Sequence, residues 1–509
     1  MKRVRSLSLL AWLTLVATGF ASRTCRSELI YFRKGGEAQL LATFEGTRVV
    51  LVTPDGKVEL ARDEIRKIVP GFWPATEWET RRRLARATDP EARFAAAWWA
   101  IENGLTTEVV PELRELHALD SKHLPAARMT AVLDRLGEPC VDPDFDRFQK
   151  ALGTETRVAR GPHVILLHQH SDSEADERIE LLERVITGYH LLFAAQGVNL
   201  SVSRRRLVSA WFADQKDYLA FLRSEGAEAF STTRGYFHPT WKAVVAYDAR
   251  SSEPQRTARN KLATKRDELH RYREMVERAP ARSRIRIKLA DLPARTVGRA
   301  EANGLLARID DEITCETMLL DLDRRSVDLG TAAHEMIHQL TSDSGLVVAH
   351  ETFPGWLHEG FAAQFEVIRG GRWAGISRAH DLRLPDWRRV QSPLKLERLI
   401  RNAGFGRGYS RELYAQAWAL VYFLRTQRPQ QFLTFVDLLR TPNLGGESPV
   451  SPTGDRVFDA FQRAFGTDMD KLESDWHRFM KTVQTPLEQH VPGVDQAPKP
   501  SRPATRAPT

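Results

Sequence analysis

Residues 331–359, TAAHEMIHQLTSDSGLVVAHETFPGWLHE, constrain the fold more than any other stretch of this chain. His334 and His338 are four apart, so on a helix their imidazoles stand one turn above each other, with Glu335 projecting beside them. Ala333, Met336, Ile337 and Leu340 recur at i, i+3, i+4 and i+7 on the side away from the histidines. That stripe predicts a helix with one face in a core and the other toward a cleft. A second helical stretch follows from Pro354 to Gly371, opened by Pro-Gly and closed by Gly-Gly, with Trp356, Leu357, Phe361, Phe365 and Ile368 at helical spacing. The chain therefore has to pack two amphipathic helices with polar residues facing one another.

The polar residues carry a specific chemistry. Two imidazoles four apart can share one divalent metal, and Glu335 then points toward a water on that metal. Glu359 sits near the start of the second helix, where the helix dipole favours a carboxylate, and can supply a third ligand. His358, its neighbour, competes for that place, although neighbouring side chains leave a helix about 100° apart. His350 and Glu351 lie between the two helices and read as loop residues. Two histidines and one carboxylate with a fourth position open to water form a catalytic zinc set rather than a closed structural one.

His334-Glu335-x-x-His338-Gln339 followed by Trp356-Leu357-His358-Glu359-Gly360-Phe361-Ala362 resembles the gluzincin zinc metallopeptidases of the peptidase MA-like superfamily, in particular bacterial members with an HExxHQ helix and a WxxEGxA helix. The pattern covers about thirty residues strictly and residues 156–482 loosely. The resemblance implies that His334, His338 and Glu359 bind one Zn2+ and that Glu335 is the general base. It also implies a tyrosine on a later helix as a hydrogen-bond donor to the reacting oxygen, and Tyr414, in Arg411–Arg425, occupies such a place. The metzincin pattern is excluded, because it requires Gly and His where this chain has Thr341 and Ser344. One departure stands out. Some gluzincins hold a ligand histidine with an acid four residues after the ligand Glu, but that position is Ala363 here; Glu366, two turns along the same face, is the substitute on offer. His380 and His477 are further candidates, each a lone histidine in a polar run that reads as solvated.

The rest of the chain sets the context. Residues 1–21 begin with Lys2, Arg3 and Arg5, continue with an apolar run from Leu7 to Ala17, and reach Gly19-x-Ala21, which reads as a signal peptide and an exported protein. Nothing further along is long and apolar enough to span a bilayer. The three cysteines, Cys25, Cys140 and Cys315, exclude a disulfide framework and a cysteine zinc site, while allowing one bridge. The formal charge is +8, or +5 without the leader, and it is spread along the chain rather than gathered beside aromatics, so nucleic-acid binding is not implied.

The expected fold class is α+β and multidomain. Residues 22–74 form a small β module similar to SH3-like modules, because 29–68 alternate apolar and polar residues between turns at Gly35-Gly36, Glu45-Gly46 and Asp55-Gly56. Residues 75–140 form helical hairpins of the tetratricopeptide kind, with breaks at Asp89-Pro90, Asn103-Gly104 and Asp120. Residues 141–482 form the gluzincin-like peptidase domain, zincin-like in its mixed sheet and HExxH helix, with a C-terminal helical subdomain. It holds strands over 163–168 and 206–213, a helix over 173–196 and two strands within 233–247. His168 and His170 read as polar strand-end residues. A charged helical insertion covers about 252–330, with Leu262, Leu269 and Val276 at heptad spacing, and residues 483–509 form a disordered Pro-rich tail. The expected partners are a peptide or protein substrate, plus a protein partner for the N-terminal β and helical modules. The alternative reading is a catalytically inactive peptidase fold used as a binding or scaffold protein.

Overall fold

The computed structural model describes residues 27–70, 74–85, 88–288, 294–347, 353–376, 378–402, 405, 410–440, 453–485 and 488. The expected signal peptide, Cys25, His350, Glu351 and most of the Pro-rich tail lie outside the described residues. The chain is α+β, mostly helical, with a small N-terminal sheet of β1 (Ser27–Phe32), β2 (Glu37–Glu45), β3 (Arg48–Thr53), β4 (Gly56–Ala61) and β5 (Ile65–Pro70). The strands are antiparallel in the order β4-β3-β2-β1-β5. The turns fall where the glycines stand. Glu45 pairs with Arg48 across a two-residue loop, and Gly46 takes φ +61°, the left-handed conformation such a loop needs.

Four helices follow: α1 (Pro74–Leu84), α2 (Pro90–Glu102), α3 (Val110–Leu119) and α4 (Leu124–Leu136). Asp89 caps α2 by accepting from the Ala92 amide, with Pro90 at the first helical position. Apolar residues of these helices, such as Ile101, Leu113 and Met129, form one continuous cluster with Met336 and Trp356. After α5 (Asp146–Leu152) comes a mixed sheet built from β6 (Arg157–Arg160), β7 (Val164–His168), β8 (Leu207–Phe212), β9 (Gly235–His238) and β10 (Ala243–Tyr247). Its order is β6-β7-β8-β10-β9; β7, β8 and β10 run parallel, and β9 lies antiparallel at the edge. The central strands are buried throughout, as expected of strands covered on both faces. α6 (Asp172–Ala195) crosses from β7 to β8, started by a capping box between Ser171 and Glu174, and α7 (Gln215–Ser224) follows β8.

α8 (Glu253–Arg278) leads through a short hairpin, β11 (Arg284–Ile287) and β12 (Arg295–Gly298), into α9 (Arg299–Asp343). α8 and the first part of α9 pack as a hairpin around Leu269, Val276, Leu306 and Ile313. The expected end of the charged insertion near 330 falls inside α9. No proline interrupts 299–343, so the insertion and the HExxH helix are one rod of 45 residues, about 67 Å long. Cys315 and Met318, midway along it, pack against Ile30, Phe32, Leu40 and Leu51 of the N-terminal sheet.

A buried ion cluster fixes the rod against the mixed sheet. Asp328 accepts from the Ala249 amide at 2.9 Å and pairs with Arg178 of α6 at 3.3 Å and Arg324 at 3.1 Å. His168, the last residue of β7, and His170 just beyond it are buried beside this cluster rather than lying in a polar environment. Burial, and then the Arg178 charge, push the His170 pKa down to about 2, so it is neutral. Cys140 and Cys315 are free thiols.

α10 (Gly355–Ala362) is shorter than its sequence pattern implies. The chain leaves the helix at Ala363 and turns back in a tiny hairpin, β13 (Ile368–Arg369) and β14 (Arg372–Trp373). Trp373 stacks on Phe365 at 5.7 Å and donates its indole N–H to the Phe365 carbonyl, which draws the chain out of helical register. The remaining helices are α11 (Arg383–Arg389), α12 (Leu396–Ile400), α13 (Arg411–Gln427), α14 (Pro429–Arg440), α15 (Thr453–Phe465) and α16 (Met469–Thr482). No described helix is long and apolar enough to cross a membrane.

Candidate metal centre

The last turns of α9 behave as their pattern requires. Ala333, Met336, Ile337 and Leu340 are buried in the core, while His334 and His338 face the start of α10. On its other side α10 packs closely on α13: a side chain at Gly360 would meet the Ala417 carbonyl at 2.5 Å. The three donor atoms form a small triangle. His334 Nε2 and His338 Nε2 are 3.0 Å apart, and Glu359 Oε2 lies 3.1 Å from the first and 3.6 Å from the second. Donors around a tetrahedral zinc, at about 2.0–2.1 Å each, stand roughly 3.3–3.4 Å from one another. The three side chains therefore fit a small divalent cation, and the same three residues form a metal-binding group by donor distance alone.

His358 has a different place. Its Nε2 lies 3.0 Å from His338 Nδ1 and its ring is 3.9 Å from the His338 ring, so it stands behind that ligand while Glu359 enters the triangle. The other histidine of the triangle is also held from behind. His334 Nδ1 is 2.6 Å from Glu366 Oε1, an ion-pair contact that is not aligned for a linear hydrogen bond. Glu366 in turn accepts from Arg383 Nη2 at 3.1 Å and lies 2.8 Å from His380 Nε2. Such partners orient imidazoles toward a metal.

Glu366 arrives by a route the helical pattern does not give. It sits beyond the end of α10, on the extended segment before β13, rather than two turns along one helix face. That segment crosses α9 at Gly330, where a Cβ would lie 2.9 Å from the Glu366 carbonyl oxygen. Gly330 is one helical turn before His334, so the backbone contact at one delivers the carboxylate to the other. His380 is buried in this arrangement, contrary to its reading as a solvated histidine, because Glu366 offers it a partner. Arg383 carries no signal of its own in the sequence; it is found only through the need of a buried Glu366 for a cation. His477 packs half-buried between Trp387 and Trp476, away from the triangle.

Burial shapes the charges, and neighbours then correct them. Desolvation raises the Glu335 carboxyl above its ordinary range, while the two imidazoles pull it back. Desolvation pushes the same way on Glu359 and Glu366, but the imidazoles and Arg383 win and hold both well below the usual carboxylate range. Burial would lower His334, yet Glu366 and Glu359 lift it well above its usual value. A cation in the triangle would take the place of that proton.

The centre opens into a cleft of about 3520 Å³ that Glu335, Glu359 and Tyr414 also line. Edge strand β9 passes beside Glu335: a Cβ on Gly235 would lie 3.3 Å from Glu335 Cγ. Tyr414 stands in the first turn of α13, with the Arg383 guanidinium 5.5 Å from its ring centre and Phe405 6.1 Å away. Arg383 thus joins Tyr414 to Glu366.

Residues 328–443 match a family model described as a protein of unknown function (DUF1570). No curated protein and no solved structure matches the chain. The matched stretch contains His334, Glu335, His338, Glu359, Glu366, His380, Arg383 and Tyr414 together.

Proposed function

We propose that this chain is an exported, zinc-dependent metallopeptidase, zincin-like in the unit that carries the centre and SH3-like in its N-terminal sheet. The observation that carries the reading is the triangle of His334, His338 and Glu359 with a buried Glu335 beside it and an open cleft in front. His334, His338 and Glu359 would hold the zinc, which would supply activation of water and polarisation of a carbonyl oxygen. Glu335 takes the proton from the attacking water and returns it to the leaving amine. Its raised proton affinity suits it to holding that proton between the two steps. Glu366 and His358 keep the two imidazoles turned toward the cation, and Arg383 keeps Glu366 ionised. Tyr414 donates its hydroxyl to the oxyanion of the tetrahedral intermediate. Export rests on the basic, then apolar, then small-residue order of residues 1–21.

The test is metal analysis of the purified chain combined with two variants. The parent should hold one zinc and cleave peptides in a library. Glu335→Gln should keep the zinc and lose turnover, whereas His338→Ala should lose both. Full zinc retention in His338→Ala would contradict the ligand set, and equal inertness of parent and Glu335→Gln would favour a fold used only for binding.

A further inference from the structure

The N-terminal sheet is a wall of the cleft as well as a neighbour of α9. The cavity that contains Glu335 and the triangle runs without interruption to Leu29, Tyr31, Gln39, Leu41 and Val52. One face of the sheet, with Ile30, Phe32, Leu40 and Leu51, is used up in packing on Cys315 and Met318. Side chains alternate along a strand, so Leu29, Tyr31, Gln39 and Leu41 point the other way. Leu41 and Val52 are direct cross-strand partners, and they are 37% and 39% exposed, an apolar pair left open on that face.

The wall is fixed in place. Arg48 pairs with Asp311 at 2.9 Å, Lys34 with Glu312 at 2.5 Å and Asp55 with Arg325 at 3.3 Å, all three partners lying on α9. On the far side the β1–β2 hairpin meets the β13–β14 hairpin, where a Cβ on Gly370 would lie 3.2 Å from the Gln39 carbonyl oxygen. The same rod therefore carries the sheet and two of the three proposed metal ligands, His334 and His338. Met318, where the sheet docks, precedes His334 by roughly 24 Å of helix. An extended peptide needs about seven residues to cover such a distance. A cleft of about 3520 Å³ is several times larger than the roughly 300–1,000 Å³ of a small-molecule site.

We propose that the outer face of the N-terminal sheet, centred on Leu41 and Val52, binds the part of an extended polypeptide substrate that lies several residues from the scissile bond. The proposal rests on the peptidase reading of the centre and adds a substrate class to it: unfolded or extended chains of about ten residues or more, with apolar side chains for the sheet. Short peptides occupy only the space around the metal and do not touch the wall.

The full-length chain with Leu41→Asp/Val52→Asp tests this against a pentapeptide and a reduced, carboxymethylated lactalbumin. KM for the lactalbumin should rise about tenfold, with pentapeptide cleavage unchanged. Leu41→Thr/Val52→Thr keeps strand propensity and should move the same way, which separates loss of the surface from loss of the fold. Binding of fluorescein-labelled lactalbumin to the Glu335→Gln background, read by anisotropy, should weaken by the same factor. An unaltered KM and affinity, or an equal loss on both substrates, overturns the proposal. A concentration-dependent dimer that either double variant abolishes also overturns it, since a second copy would then cover the face. If the parent cleaves neither substrate the peptidase reading fails, and the anisotropy measurement still decides whether the wall binds extended chains.

Discussion

Glu366 meets His334 across two backbones that could not approach if Gly330 carried a side chain. His334, a ligand in the proposed metal site, is thus held by an acid from outside the helix that bears Glu359, and a glycine one turn earlier makes the contact possible. Gly330→Val should force the Glu366 segment off α9 and weaken zinc binding by about 10- to 100-fold, as expected when a group orienting a ligand is lost. Glu366→Ala should weaken it by a similar factor. Competition with a chromophoric chelator measures both, and unchanged affinity in Glu366→Ala would show that His334 needs no such support.

Tyr414→Phe removes one hydroxyl and leaves its ring between Arg383 and Phe405. If the hydroxyl stabilises the oxyanion, kcat should fall by about 10²–10³ with KM little changed. A variant with parental kcat assigns Tyr414 to packing of the cleft wall.

Asp328 is enclosed by two arginines and one amide, with Arg178, Arg324 and Asp328 all about 2% exposed. Asp328→Ala leaves two guanidinium groups buried without their shared carboxylate. The expected cost is about 3–5 kcal/mol in a urea unfolding experiment. A loss below about 1 kcal/mol would mean that Glu174 and Asp248 already neutralise the arginines.

Glu37 supplies a pH dependence away from the metal centre. Burial pushes its carboxyl up to about 7, Asp381 adds to the rise and Arg369 opposes it. Between its ordinary value near 4.5 and 7 the folded chain holds a proton that the unfolded chain has released, so this group's contribution makes stability fall as pH rises through that window. The loss should be about 3 kcal/mol, complete above pH 7. Glu37→Gln should remove this component of the slope and stand above the parent at pH 8, as read from unfolding midpoints across pH. Parallel pH profiles for the two proteins would refute it.

The sequence carried the local chemistry well and the long-range chemistry poorly. Helix spacing alone put His334, Glu335 and His338 on one face, and glycine positions alone placed the turns of the first sheet. These are properties of neighbours within one turn or one hairpin. The end of α10 was not legible, because Phe365 and Ile368 continue a helical pattern that Trp373, eight residues beyond Phe365, overrides by stacking. The choice between His358 and Glu359 also needed coordinates, since adjacent residues differ only in direction. Arg383 and His380 were hidden for the same reason: their partner, Glu366, is reached through tertiary packing.

The 45-residue rod has a practical consequence for anyone trimming this chain. A fragment cut to the family match would start at Asp328 and sever α9 in its middle. It would also strip away β7 to β10 and α6, whose Val164, Leu166, Trp211 and Leu182 share one core cluster with Met336 and Ile337. The matched stretch is therefore part of a larger packed unit, and a folded piece has to include α6, β7 to β10 and the whole of α9.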